Sequence, residues 1–291
     1  MPADISSASP PGASPRAPSP DTPPDGLLDT PAAALRARRH RTARTVTALM
    51  LREMSTTYGR SPGGYLWALL EPIGAITVLS IGFSLVLRAP SLGTNFLLFF
   101  ATGYLPFTLF QGVSNKVATS IRFSKALLAY PAVTFLDTLL ARFLLTLLTQ
   151  TVVFVLVMTG IHVIYDLRTI LDPVAILAGL GMAAGLGLGI GTLNCYLSTA
   201  YPVWEQIWMI LTRPLFIASG VFFTYDAMPG MVRDILWYNP VLQVVGMVRR
   251  GFYASYDAPY VSVTYICGLS LICGTLGLML LYRHSRSLAG T

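Results

Sequence analysis

The sequence reads as an all-α integral membrane protein with six transmembrane helices and both termini in the cytoplasm. Three observations lead there. Of 291 residues, 54% are hydrophobic and only 11% are charged, where soluble domains carry about 25% Asp, Glu, Lys and Arg. Mean hydropathy is +0.62, and the apolar residues gather into runs of about 20, the length a helix needs to cross the hydrocarbon. The basic residues, which give a net charge of +7, crowd toward one side of those runs.

Taken in order, residues 1–31 form a tail rich in Pro, Ser, Ala and Asp that cannot bury a core and is expected to be disordered. It contains no apolar run of the kind that marks a signal peptide, so the N-terminus is expected to be retained in the cytoplasm. From 32 to 59 the period turns helical. Ala43, Val46, Met50 and Met54 share one face and Arg38, Arg41, Arg44 and Arg52 the opposite one, as in a basic amphipathic helix lying among membrane lipid headgroups. Residues 60–283 hold the transmembrane domain. Tyr65–Leu87, Phe96–Val113, Phe135–Ile161, Pro173–Leu197 and Tyr260–Tyr282 are clear spans, and Trp204–Phe223 is a sixth despite Arg213-Pro214 in its middle. Between the last two of these in chain order, Tyr225–Pro259 is broken by Pro229, Gly230, Asn239-Pro240 and Gly251. A re-entrant or surface-lying hairpin on the periplasmic side fits it better than a crossing. Residues 284–291 are a short cytoplasmic tail.

With the N-terminus inside, segments 32–64, 114–134, 198–203 and 283–291 face the cytoplasm and hold twelve Lys and Arg, against five in the segments opposite. That asymmetry orients the chain with both termini inside.

Little here resembles an enzyme. Cys195, Cys267 and Cys273 sit in apolar stretches and match no metal or redox spacing, and His40, His162 and His284 are scattered. Gly179-x-Gly181-x-x-Ala184 matches a dinucleotide fingerprint, but it lies inside an apolar run that also carries Gly185, Gly187, Gly189 and Gly191, where small residues let helices pack closely. No phosphate-cradling G-x-x-x-x-G-K-[ST] occurs, so no cofactor or metal is expected on this chain, and nothing marks a nucleic-acid partner. Paired carboxylates or a cavity-facing His, which a membrane-embedded glycosyl- or acyltransferase would need, are also missing. Charges within the spans stand out, since each costs about 2.5–3.5 kcal/mol near the bilayer centre. Glu71-Pro72 in the first span and Arg213-Pro214 in the fifth are expected to face each other or a polar cavity, while Asp137 and Arg142 are expected to snorkel. Trp67, Trp204 and Trp208, near the ends of the two charge-bearing spans, join them as candidates for a hydrophilic path, because aromatic faces suit sugar rings.

The run Tyr58-Gly59-Arg60-Ser61-Pro62-Gly63-Gly64-Tyr65-Leu66-Trp67-Ala68-Leu69-Leu70-Glu71-Pro72 resembles the entry to the first span of the ABC-2 type permeases of polysaccharide exporters, the capsular branch in particular. Ser219-Gly220-Val221-Phe222-Phe223, Met228-Pro229 and Trp237-Tyr238-Asn239-Pro240 resemble that family's outer hairpin between spans five and six. The likeness covers about residues 35–285. It implies a homodimer around a conduit in a bacterial inner membrane, each copy docked on a separate ATPase subunit that binds ATP and Mg, exporting a lipid-linked polysaccharide toward periplasmic or outer-membrane partners. It implies a coupling helix within 115–131, with Asn115, Lys116, Arg122, Phe123, Ser124, Lys125 and Tyr130 at the ATPase. A substrate path is expected through Tyr58, Arg60, Trp67, Glu71, Trp204, Trp208, Arg213, Phe222, Arg249 and Arg250, and the arginines among them favour an acidic glycan. O-antigen, teichoic acid, drug and lipid efflux are the other cargoes that the resemblance leaves open.

Overall fold

The computed structural model describes residues 44–55, 64–124, 134–167 and 169–288, all helix and connecting turns. The Pro-rich tail, the first part of the amphipathic helix, Tyr58, Arg60, Lys125 and Tyr130 lie outside the described residues.

Helix α1 (44–55) buries Val46 and Glu53 and leaves Arg44 and Arg52 exposed, the two-faced pattern its sequence predicts. Helix α2 (Gly64–Ser84) touches the bundle through a stripe of Pro72, Ile76 and Ser80 and shows most of its surface. Helix α3 (Phe96–Ala118) begins where Asn95 Oδ1 accepts the amides of Leu97 and Leu98, at 2.8 and 3.3 Å, and it is buried along most of its length. It runs five residues past the predicted end at Val113, so Asn115 and Lys116 are its last turn and not loop. A four-residue helix, α4 (Ser120–Phe123), follows.

Helix α5 (Phe135–Tyr165) opens with a capping box: Thr134 Oγ1 accepts the Asp137 amide while Asp137 accepts the Thr134 amide. Asp137 therefore caps a helix and does not snorkel. At the far end Asp166 takes a left-handed conformation, φ 45°, and His162 bonds Met158 O and Thr169 Oγ1, both at 2.9 Å.

Helix α6 (Pro173–Ala200) starts at the Asp172 cap and is the axis of the fold, packed by α3 on one side and by α10 (Val263–Leu288) on another. Its small residues explain the closeness. A Cβ on Gly187 would come within 2.8 Å of Phe110 O and one on Gly191 within 2.9 Å of Ser114 O, both on α3, while one on Gly189 would strike the Ser270 backbone on α10. Gly181, in the same stripe, faces open space.

The fifth predicted span, Trp204–Phe223, ends early. Helix α7 (Trp204–Ala218) has 15 residues, about 22 Å at 1.5 Å per residue, against a hydrocarbon core of about 30 Å. Among the described residues five helices, α2, α3, α5, α6 and α10, are long and apolar enough to cross a membrane. The ends of α7 nonetheless reach opposite ends of the bundle: Glu205 pairs with Arg122 of α4, and Phe222, just past its other end, stacks on Phe83. After a turn at Gly220 (φ 77°) come a 3-10 turn (Tyr225–Ala227), α8 (Gly230–Leu236) and α9 (Pro240–Phe252). Helix α9 is almost wholly buried against α6 and α3, so this part of the segment folds back into the bundle, while the 3-10 turn and α8 have no buried residue.

Candidate functional site

Two clusters of polar and aromatic side chains lie at opposite ends of α7. At the first end the chain must turn from α3 into α4. Thr119 closes α3 with its amide on Asn115 O and Val117 O, and Ser120 Oγ donates to Val117 O at 2.8 Å, so the turn consumes its own backbone groups. Into this turn reaches Arg142 of α5. Its Nε bonds both oxygens of Glu53, at 2.9 and 3.1 Å, and its Nη1 donates to Lys116 O at 3.1 Å and Thr119 Oγ1 at 2.9 Å. The guanidinium also lies 4.2 Å from the Phe123 ring centroid. One buried cation thus binds α1, α3, α4 and α5. Leu49, Arg52, Glu53, Phe123, Ser124, Thr138 and Arg142 line a small recess beside it.

Arg142 was expected to snorkel. Burial of both charged side chains, 6% and 7% exposed, makes it a structural hub instead. Removing one partner of such a pair costs about 3–5 kcal/mol, because the other is left charged and dry. Glu53 escaped the sequence reading, although a lone acid on an arginine-rich helix is a visible signal. Of the expected ATPase-facing residues, Asn115, Arg122 and Phe123 are exposed, Lys116 is half-buried and Ser124 is buried. Arg122 Nη1 pairs with Glu205 Oε1 at 2.7 Å, an exposed contact worth about 0–1 kcal/mol. Trp204, next to it, donates from Nε1 to Asn194 Oδ1 at 2.9 Å.

Between the ends, α2 and α7 present the expected path residues. Trp67, Glu71 and Arg213 are exposed and Trp208 is half-buried. Glu71 is the acidic neighbour of the Tyr104 hydroxyl, and Tyr104 packs edge-on against Phe216 of α7 at 6.1 Å. Among the described residues no ion pair joins Glu71 to Arg213, so the expected contact between them is not made within one chain. A carboxylate and a guanidinium on otherwise apolar faces are costly against lipid; these faces suit water, a ligand or a second protein surface.

At the other end Phe222 is half-buried within rings of Phe83, Phe100 and Phe216, at 5.6, 6.4 and 5.3 Å. Arg249 of α9 departs from its expected place on the path. It is 1% exposed, with Nη1 on Phe223 O at 2.9 Å, Nη2 on Val221 O at 3.1 Å and the Phe99 ring 4.2 Å away. Each of those two nitrogens gives an N–H to a backbone carbonyl, and burial keeps the group out of a substrate's reach. Arg250 beside it is exposed.

Residues 44–253 match the protein family described as ABC-2 type transporter. The chain belongs to that family. As an ABC-2 transporter chain it is 29% identical over 236 residues to the polysialic acid transport protein KpsM of Escherichia coli, covering 81% of this chain and 92% of the relative. It is 28% identical over 244 residues to the capsule polysaccharide export inner-membrane protein CtrC of Neisseria meningitidis serogroup B, and 27% over 244 residues to the capsule polysaccharide export inner-membrane protein BexB of Haemophilus influenzae; each match covers 84% of this chain and 92% of the relative. The ABC-2 match runs from the start of α1 to the residue after α9, so both clusters lie inside it and α10 follows it.

Proposed function

We propose that the chain is the permease subunit of an ATP-driven exporter that carries a lipid-linked, acidic capsular polysaccharide across the bacterial inner membrane. The observation that carries this reading is the match to capsule and polysialic acid export proteins along 92% of their length, together with the family assignment over 44–253. ATP and Mg belong to a separate ATPase subunit, and two permeases with two ATPases make the working unit. In this reading α4 is the coupling element. It is short, exposes Arg122 and Phe123, and touches α1 and α5 through Arg142 and α7 through Glu205. Force applied by a partner at α4 reaches all three helices through named bonds, and ATP binding biases the arrangement of the permease without any chemistry on this chain.

The exposed faces of α2 and α7 form the wall met by the polymer. Arg213 and Arg250 attract carboxylate or phosphate groups, and Trp67 and Trp208 offer flat surfaces to sugar rings. Purification from native membranes tests the reading: an ATPase subunit and an acidic glycolipid are expected to accompany the chain. Isolation with a neutral lipid or drug as cargo and no glycan-synthesis machinery encoded nearby would contradict it.

A further inference from the structure

Gly103 lies seven residues into α3, about 10 Å below the start of that helix at 1.5 Å per residue. The turn that follows α7 sits against it: a Cβ on Gly103 would come within 3.0 Å of Val221 Cα and 3.1 Å of Arg249 Nη2. The chain therefore leaves helical structure while still well inside the bundle. Backbone carbonyls released at such depth have no water to bond and need protein donors. Three side chains of the α9 segment supply them or brace the approach. Asn239 Nδ2 donates to Ala218 O at 2.9 Å, Arg249 donates to Phe223 O and Val221 O, and Gln243 joins Trp237 O to the Ser262 amide, at 2.8 and 2.9 Å. The guanidinium suits the two-carbonyl task, since its fixed fork reaches both oxygens at once. No carboxylate pairs with it among the described residues; carbonyl dipoles and the Phe99 ring hold the charge.

The other end of α7 is held differently. Among the described residues its side-chain polar contacts to other helices are the exposed Arg122–Glu205 pair and the Trp204–Asn194 bond, and Thr212 is the one buried residue of α7.

We infer that Arg249 is the positioning residue for α7, bolting its Gly220 end to α3 and α9 so that this end is the fixed pivot and the Glu205 end is the one that moves. The inference rests on the proposed export function only for what drives the motion. It assigns to a buried arginine that does not itself face the polymer control over where the conduit-facing helix stands.

Spin labels test it on the full chain in lipid nanodiscs, with Cys195, Cys267 and Cys273 replaced by Ala. One pair, Leu136 with Ile207, reports the Glu205 end against α5; the other, Val163 with Ile217, reports the Gly220 end, and all four positions are exposed. The Val163–Ile217 distance distribution is expected to be the narrower in the chain alone. Arg249→Gln should broaden it until it matches the other pair, and Arg249→Lys, which keeps the charge but not the fork, should restore it in part. An Arg249→Gln variant with an unchanged distribution overturns the inference. If that variant does not insert, a wild-type distribution no narrower at the Gly220 end overturns it instead. With the co-purifying ATPase subunit and trapped ATP, the Leu136–Ile207 distance should shift by several ångström while Val163–Ile217 stays. Equal shifts at both ends overturn the pivot; no shift at either end counts against the exporter reading, and the clamp then stands on the first comparison.

Discussion

Replacing Arg142 with Met keeps much of the side-chain volume but removes the cation that joins four helices. The variant takes the Arg142 guanidinium away from the buried Glu53 carboxylate, and it frees Lys116 O and Thr119 Oγ1 from that donor. A buried pair broken on one side costs about 3–5 kcal/mol. At about 1.4 kcal/mol per tenfold change, that is roughly a hundred- to a few-thousand-fold rise in the opening of α1 away from α5. Hydrogen exchange of the 44–55 amides reads this directly, because exchange from a locally opening helix follows the free energy of that opening. The double variant Glu53→Gln/Arg142→Met removes both charges and should recover most of the protection, since a neutral amide tolerates the buried site better than a carboxylate whose countercharge has been removed. Exchange in Arg142→Met equal to wild type, or no recovery in the double variant, would refute the hub.

Arg213→Ala should abolish surface polysaccharide while leaving the protein at normal levels in the membrane, as judged by capsule staining beside a membrane blot. Phe123→Ala should lower ATP-driven export or lose the ATPase subunit on purification, whereas Arg122→Ala, which breaks an exposed pair, should change thermal stability by less than about 1 kcal/mol. Gly189→Leu places a side chain against the Ser270 backbone and should cost at least the 1–3 kcal/mol or so typical of overpacking, read as a lowered melting temperature in detergent. Burial pushes the Tyr256 and Tyr260 hydroxyls, which bond each other at 3.1 Å, above the ordinary phenol range. The folded chain then holds these protons more tightly than the unfolded one. Its stability is unaffected below pH 10 or so and falls as pH rises beyond that, with tyrosinate absorbance at these rings appearing only above the ordinary phenol range.

Hydropathy made α2, α3, α5, α6 and α10 legible because twenty apolar residues have few other uses. It misplaced the end of α3, where Asn115 and Lys116 continue a helix that has already left the apolar stretch. It overextended α7 because Val221, Phe222 and Phe223 are as apolar as a span, while the Gly220 turn that ends the helix depends on φ. Gly187 and Gly191 against α3, and Gly189 against α10, were read correctly as packing positions. Gly181, with the same spacing, was not, since spacing says which residues share a face but not how long the neighbour is. The Glu53–Arg142 pair spans 89 positions, and no local pattern links such partners. Arg249 and Arg250 are adjacent and chemically identical; only the helix phase of α9 against α3 decides that one is buried on carbonyls and the other exposed.

Export itself is the most direct test of the central claim. Vesicles holding the chain with its co-purified ATPase subunit should move lipid-linked capsular polysaccharide to the far side only when ATP is hydrolysed, and Arg213→Ala vesicles should hydrolyse ATP without moving glycan. Translocation by the chain without the ATPase, or by ATP-depleted vesicles, would contradict the account.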